Sequence, residues 1–268
     1  MASARGDIMS MIQTGIEFLE ESISNNFTLF EAFGIEFSLH FSAIIIPIYI
    51  FFTIGLDWVG FLLVLGVIAS VFIHEIDHAV CGFLVDYQAT EICLFACGGY
   101  TRFSWPLGIE AKDALVSMAG PLTNGLACCL LIWIERAIHG GKFWDGMIQL
   151  LSWTFGGDLL TDDLPLPSLL LFDIARLNAY MLLFNLLPAF PLDGGRIITW
   201  LMTCFLSAEN GAFVIMLLSR TIACLIVIQS IRKDLIGDFN LFNLVYMLFI
   251  AICIWCASRE EYLSIMNE

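Results

Sequence analysis

His74, Glu75, Asp77 and His78 stand together inside the otherwise apolar stretch from Val59 to Val85. On a helix, His74 and His78 are four residues apart, so they lie one turn above each other on one face, where both imidazoles can bind one zinc ion. Glu75 sits beside them, placed to take a proton from a zinc-polarised water. Clustered ionisable groups in an apolar span cost on the order of several kcal/mol unless paired, liganded or hydrated, which favours function over inert packing.

A metal that keeps one position open for water takes three protein ligands. Candidates for the third are Asp77, Asp86, Glu91, Asp173 and Asp193. Asp77 is locked between the two histidines on the same turn, and Asp86 and Glu91 lie past the end of the helix. Asp193 is the best placed. Pro188 and Pro191 before it, and Gly194 and Gly195 after it, free the backbone from helix and let a carboxylate turn inward at membrane depth.

The elements that must position these groups follow from composition. Of 268 residues, 59% are hydrophobic and only 14% charged, against about 25% charged in a soluble domain. Mean hydropathy is +0.88. An ordinary soluble enzyme and a disordered chain are both excluded, and a multi-pass integral membrane protein is expected. Apolar runs place spans at Phe37–Leu56, Val59–Val85, Ala114–Ile134, Leu169–Phe190, Gly211–Ile231 and Phe239–Ala257. The fold expected is therefore an all-α polytopic protein of about six transmembrane helices. Thr90–Phe103, around Gly98 and Gly99, reads as a small membrane-associated β-hairpin between the second and third spans. Residues 1–36 form a polar acidic segment, 37–257 the membrane core and 258–268 a short tail. An interfacial stretch is expected around Trp144 and Trp153.

Net charge is −15, with 26 acids against 11 bases and no basic patch, so nucleic acid is not an expected partner. Nine cysteines, mostly in apolar runs, give no disulfide framework. Cys253 and Cys256 have redox or zinc spacing but no second pair, and read as packed helix residues. The amino-terminal segment lacks the pattern of a signal peptide. Bases are too evenly shared between loops to set orientation.

His74-Glu75-x-x-His78, followed by Asn185-Leu-Leu-Pro188-Ala-Phe-Pro191-Leu-Asp193-Gly194-Gly195-Arg196, resembles the site-2 protease family of intramembrane zinc metalloproteases. Gly34-Ile-Glu-Phe-Ser-Leu-His40 is similar to the family's segment before the first span, and Ala119-Gly120-Pro121-Leu-Thr-Asn124 to its third-span motif. The resemblance runs from about Gly34 to Ala257, in family order, and the layout is similar to short prokaryotic members. It implies His74, His78 and Asp193 as zinc ligands, Glu75 as the catalytic base, and Asn185 as the amide that holds the scissile carbonyl or its oxyanion. Gly98 and Gly99 match the glycine pair of a membrane-dipping hairpin, whose edge could pair with an extended substrate. His40 is read as a capping or interfacial histidine.

The resemblance implies an intramembrane zinc metalloprotease that hydrolyses transmembrane protein substrates in regulated intramembrane proteolysis, with a regulatory membrane protein as a further partner. The alternative is a zinc-binding membrane pseudoprotease or a metal transporter. Two departures stand out. Asp77 replaces the glycine that many members carry between the histidines, so it could orient an imidazole, tune the bound water or loosen helix packing. The chain also has no room for an inserted PDZ domain, and no appended CBS domain is expected. Arg220, inside the fifth expected span, is read as a snorkelling residue or the partner of an acid such as Asp173.

Overall fold

The computed structural model describes residues 26–96, 98–105, 107–154, 165–236 and 241–267. In chain order the elements are β1 (Asn26–Ala32), β2 (Ile35–His40), a 3-10 turn (Phe41–Ile44), α1 (Ile45–Ile54), α2 (Trp58–Leu84), β3 (Ala89–Phe95), β4 (Gly98–Phe103), α3 (Ala111–His139), α4 (Phe143–Thr154), α5 (Leu166–Asn185), α6 (Asp193–Thr203), α7 (Ala208–Ile236) and α8 (Leu241–Asn267). Among the described residues four helices are long and apolar enough to cross a bilayer: α2, α3, α5 and residues Ala208–Arg232 of α7. At about 1.5 Å per residue even the 20-residue α5 reaches the roughly 30 Å of a hydrocarbon core.

The first expected span is different. Ile35–His40 alternates Ile35, Phe37 and Leu39 with Glu36, Ser38 and His40, which is the period of a half-buried strand, and these residues form β2. The rest of that apolar run makes the 3-10 turn and the 10-residue α1, about 15 Å of helix. The fourth expected span also stops early, at Asn185, because Pro188 cannot continue a helix. α8 covers the sixth from Leu241 and continues through the expected tail to Asn267, while residues 239 and 240 lie outside the described residues.

The β structure is larger than a hairpin. Four strands pair in the order β1-β2-β3-β4. Both hairpins are antiparallel, and β2 runs parallel to β3 with Phe37 opposite Ile92. Glu91 of β3 fastens the sheet: it accepts from Asn26 Nδ2 of β1 at 2.7 Å and Ser38 Oγ of β2 at 2.5 Å, and pairs with Arg102 of β4 at 2.8 Å. The apolar face, with Phe37, Ile92 and Phe103, packs on Ala79 of α2 and Val116 of α3.

Ile50, Leu63 and Val64 join α1 and α2 to Leu170 and Ile174 of α5. Ile132, Leu150 and Phe172 join α3, α4 and α5. α4 covers the expected interfacial stretch and exposes Trp144; residues 155–164 lie outside the described residues. α7 packs on α8 through Ala223, Ala251 and Ile254. Arg220 lies over the Trp255 ring at 5.0 Å, while Asp173 takes Arg176 at 3.4 Å, so the two expected partners are separately engaged.

Candidate metal centre

α2 starts where Asp57 accepts a hydrogen bond from Gly60 N–H at 2.9 Å, and it gives way after Val85 to Asp86 in the left-handed region, φ +66°. Its helical spacing stacks His74 and His78 on one buried face, with ring centroids 4.7 Å apart.

Asp193 reaches the same place by a different route. After α5 ends, residues 186–192 fold back, and buried Phe190 donates its N–H to Ser219 Oγ of α7 at 2.8 Å. A Cβ on Gly195 would stand 2.7 Å from the Ala189 carbonyl, so the loop can lie on the first turn of α6 only if that residue is glycine. Arg196 then donates to Leu107 O at 2.7 Å and to Glu261 of α8. Asp193, the first residue of α6, is thereby held facing α2.

His74 Nε2 lies 3.1 Å from His78 Nε2 and 3.5 Å from Asp193 Oδ2, and His78 Nε2 lies 3.5 Å from Asp193 Oδ1. Ligands about 2.0–2.2 Å from a tetrahedral zinc are separated by roughly 3.3 Å, so this triangle has the size of one face of a zinc site. Among the described residues it is the one group of three or more His, Cys, Asp or Glu side chains that could hold a metal ion.

Protons make the case sharper. His78 Nδ1 lies 2.7 Å from the Val116 carbonyl, which can only accept, so the ring's proton is on Nδ1 when it is neutral. His74 Nδ1 lies 2.6 Å from Asn124 Oδ1, and Asn124 Nδ2 donates to Asn178 Oδ1 at 2.9 Å. When both rings are neutral, they therefore turn bare Nε2 lone pairs toward each other and toward a carboxylate. Three acceptors with no donor between them are stabilised by a cation at their centre. Gly120 of α3 closes one side: a Cβ there would be 2.5 Å from both His74 Cε1 and His78 Nε2.

Glu75 is buried beside this group. Thr101 Oγ1 of β4 lies 2.9 Å from both Glu75 Oε2 and the Glu75 carbonyl, and Gly99 of β4 packs against the Glu75 side chain. The sheet edge thus meets the carboxylate next to the histidine pair.

The family model for peptidase family M50 matches residues 61–228. The chain belongs to peptidase family M50. This M50 chain is 26% identical over 210 residues to the protein named zinc metalloprotease Rip3 of Mycobacterium tuberculosis, covering 75% of this chain and 46% of that one. It is 28% identical over 178 residues to zinc metalloprotease MJ0392 of Methanocaldococcus jannaschii, covering 63% and 43%. It thus spans less than half the length of these curated relatives. The solved site-2 protease from Methanocaldococcus jannaschii shares its fold, with TM-score 0.54 and 19% identity over 88% of this chain and 95% of that one. The M50 chain is a multi-pass integral membrane protein.

Of the carboxylates weighed as a third ligand, the M50 fold brings Asp193 alone to the histidines. Glu91 is held in the sheet, Asp173 pairs with Arg176, and Asp86 terminates α2. Asp77 is half-buried on α2 and outside the group of three. Asn185 is half-buried at the end of α5, where the loop to Asp193 begins. His40 is the N-cap of the 3-10 turn and accepts from Ser42 N–H at 3.3 Å. Ser70, Thr101 and Asn178 were not singled out by the sequence, and Asn124 appeared only inside a motif. Amides within apolar spans were the available signal for Asn124 and Asn178. Thr101 carried none, because only strand pairing and the approach of β4 to α2 put it beside Glu75.

Proposed function

We propose that this chain is a zinc endopeptidase whose active site lies within the bilayer and which cleaves transmembrane proteins in regulated intramembrane proteolysis. The observation that carries the reading is the convergence of His74, His78 and Asp193 beside buried Glu75, in a member of family M50. His74, His78 and Asp193 would hold Zn²⁺, which supplies Lewis-acid polarisation of a water and of the scissile carbonyl. Glu75 takes a proton from the attacking water and delivers it to the leaving amine. Thr101 holds the Glu75 carboxylate in place. Asn185 offers an amide donor to the carbonyl oxygen as it gains charge.

Among the described residues β4 is the edge of the sheet, with Gly98 and Gly99 at its start, and it touches Glu75. A substrate segment unwound from helix and paired to this edge would lie extended beside the base, its backbone groups satisfied in a medium without water. In this reading α2, α3, α5, α7 and α8 cross the bilayer, and α1, at 10 residues, enters it without crossing as a straight helix, within a core of residues 37–257 and with 1–36 and 258–268 as flanking segments. A regulatory membrane protein is a partner that could govern substrate access.

Glu75→Gln decides between catalysis and mere zinc binding. It removes the base while leaving the three zinc-facing groups, so purified protein should keep its zinc and lose cleavage of a model transmembrane substrate. Retained cleavage would overturn the assignment.

A further inference from the structure

Asn124 is the middle of a longer chain of polar side chains buried between three helices. Its Nδ2 donates to Asn178 Oδ1 of α5 at 2.9 Å. Asn178 Nδ2 donates to the Ile174 carbonyl at 2.9 Å and to Ser70 Oγ of α2 at 2.9 Å. Ser70 Oγ in turn donates to the Gly66 carbonyl at 2.8 Å. Asn124 and Asn178 are each 1% exposed, so water does not substitute for a missing partner.

The chain has one internally consistent direction. Backbone carbonyls only accept, so the Asn178 atom facing Ile174 O must be the NH2 group. Its other amide atom is then oxygen, and the Asn124 atom facing it must be NH2. Asn124 therefore presents oxygen to His74, which must carry its proton on Nδ1. If Asn124 turned over, its NH2 would face His74 Nδ1, the ring proton would move to Nε2, and that proton would occupy the space between His74, His78 and Asp193. The turned Asn124 would also set oxygen against Asn178 oxygen. Turning Asn178 as well would set oxygen against the Ile174 carbonyl.

We infer that Asn178, supported by Ser70, is a positioning residue for the metal, fixing the tautomer of His74 through Asn124 without touching the metal-facing atoms. The inference rests on the zinc reading of His74, His78 and Asp193. It places part of the zinc site on α5, a helix that contributes none of those three residues.

The test is zinc affinity of the purified full chain, measured by competition with a chromophoric chelator. Asn178→Leu removes the acceptor that orients Asn124 and should weaken zinc by about tenfold to a hundredfold. The Co²⁺-loaded variant should show an altered visible spectrum. Asn178→Asp, a neutral acid in this buried place, keeps one acceptor and one donor and should recover most of the affinity. Equal affinity in Asn178→Leu and the parent overturns the inference, as does Asn178→Asp binding as weakly as Asn178→Leu. A parent chain that takes up no zinc overturns the zinc reading and the inference with it. If Asn178→Leu does not fold, the imidazole ¹⁵N shifts of the metal-free parent decide: a proton on His74 Nδ1 is expected, and one on Nε2 overturns the inference.

Discussion

At Gly120 the backbone of α3 sits against the imidazoles of both His74 and His78, and the groups that fix those rings, Asn124 and the Val116 carbonyl, belong to the same helix. The rings cannot retreat from a new side chain without loosening those bonds. Gly120→Ala is therefore expected to lower zinc affinity by at least about tenfold while the protein still folds, read by chelator competition. At this scale the sequence was generous. His74, Glu75 and His78 are legible because helical spacing alone puts them together, and Asp193 because prolines and glycines mark a break at the end of an apolar run. The fixing groups were hidden. A backbone carbonyl such as that of Val116 carries no sequence signature, and Thr101 is an ordinary strand residue until β4 is laid against α2.

Between α5 and α6 the loop of residues 186–192 carries Asp193 into place, and the bond from Phe190 N–H to Ser219 Oγ ties it to α7. Ser219→Ala leaves that buried donor unpaired, which costs about 1–3 kcal/mol. Thermal unfolding in detergent should shift down accordingly, and zinc affinity should fall in the same variant because Asp193 is three residues on. An unchanged affinity would mean that Arg196, tied to Leu107 and Glu261, holds Asp193 unaided. Long helices were readable from apolar length. Phe37–His40 falls within the first expected span because no Asp, Glu, Lys or Arg interrupts the run from Phe37. Its alternation, and the presence of β3 as a parallel partner across α1 and α2, make it a strand.

For the whole molecule, the His74 and His78 rings are each held by a bond to α3, at Asn124 Oδ1 and at the Val116 carbonyl, so the fold should survive removal of the proposed metal. A chelated sample is expected to keep its helical circular dichroism and lose cleavage, and added Zn²⁺ should restore cleavage and raise Tm. At zinc a hundredfold above Kd, the gain is about 2.7 kcal/mol. Loss of helicity on chelation would mean that the metal assembles the bundle. The sequence by itself determined the membrane setting, the helices that length and hydropathy impose, and the candidacy of His74, Glu75, His78 and Asp193 for one site, because these depend on composition and local spacing. Tertiary structure decided the rest. Which backbone carbonyl fixes His78, which amide orients His74 and which strand meets Glu75 depend on contacts between segments far apart in the chain, such as His78 with Val116, His74 with Asn124 and Asn178 with Ser70. Those contacts arise from packing and hydrogen-bond direction, and neither is written in the order of residues along one helix.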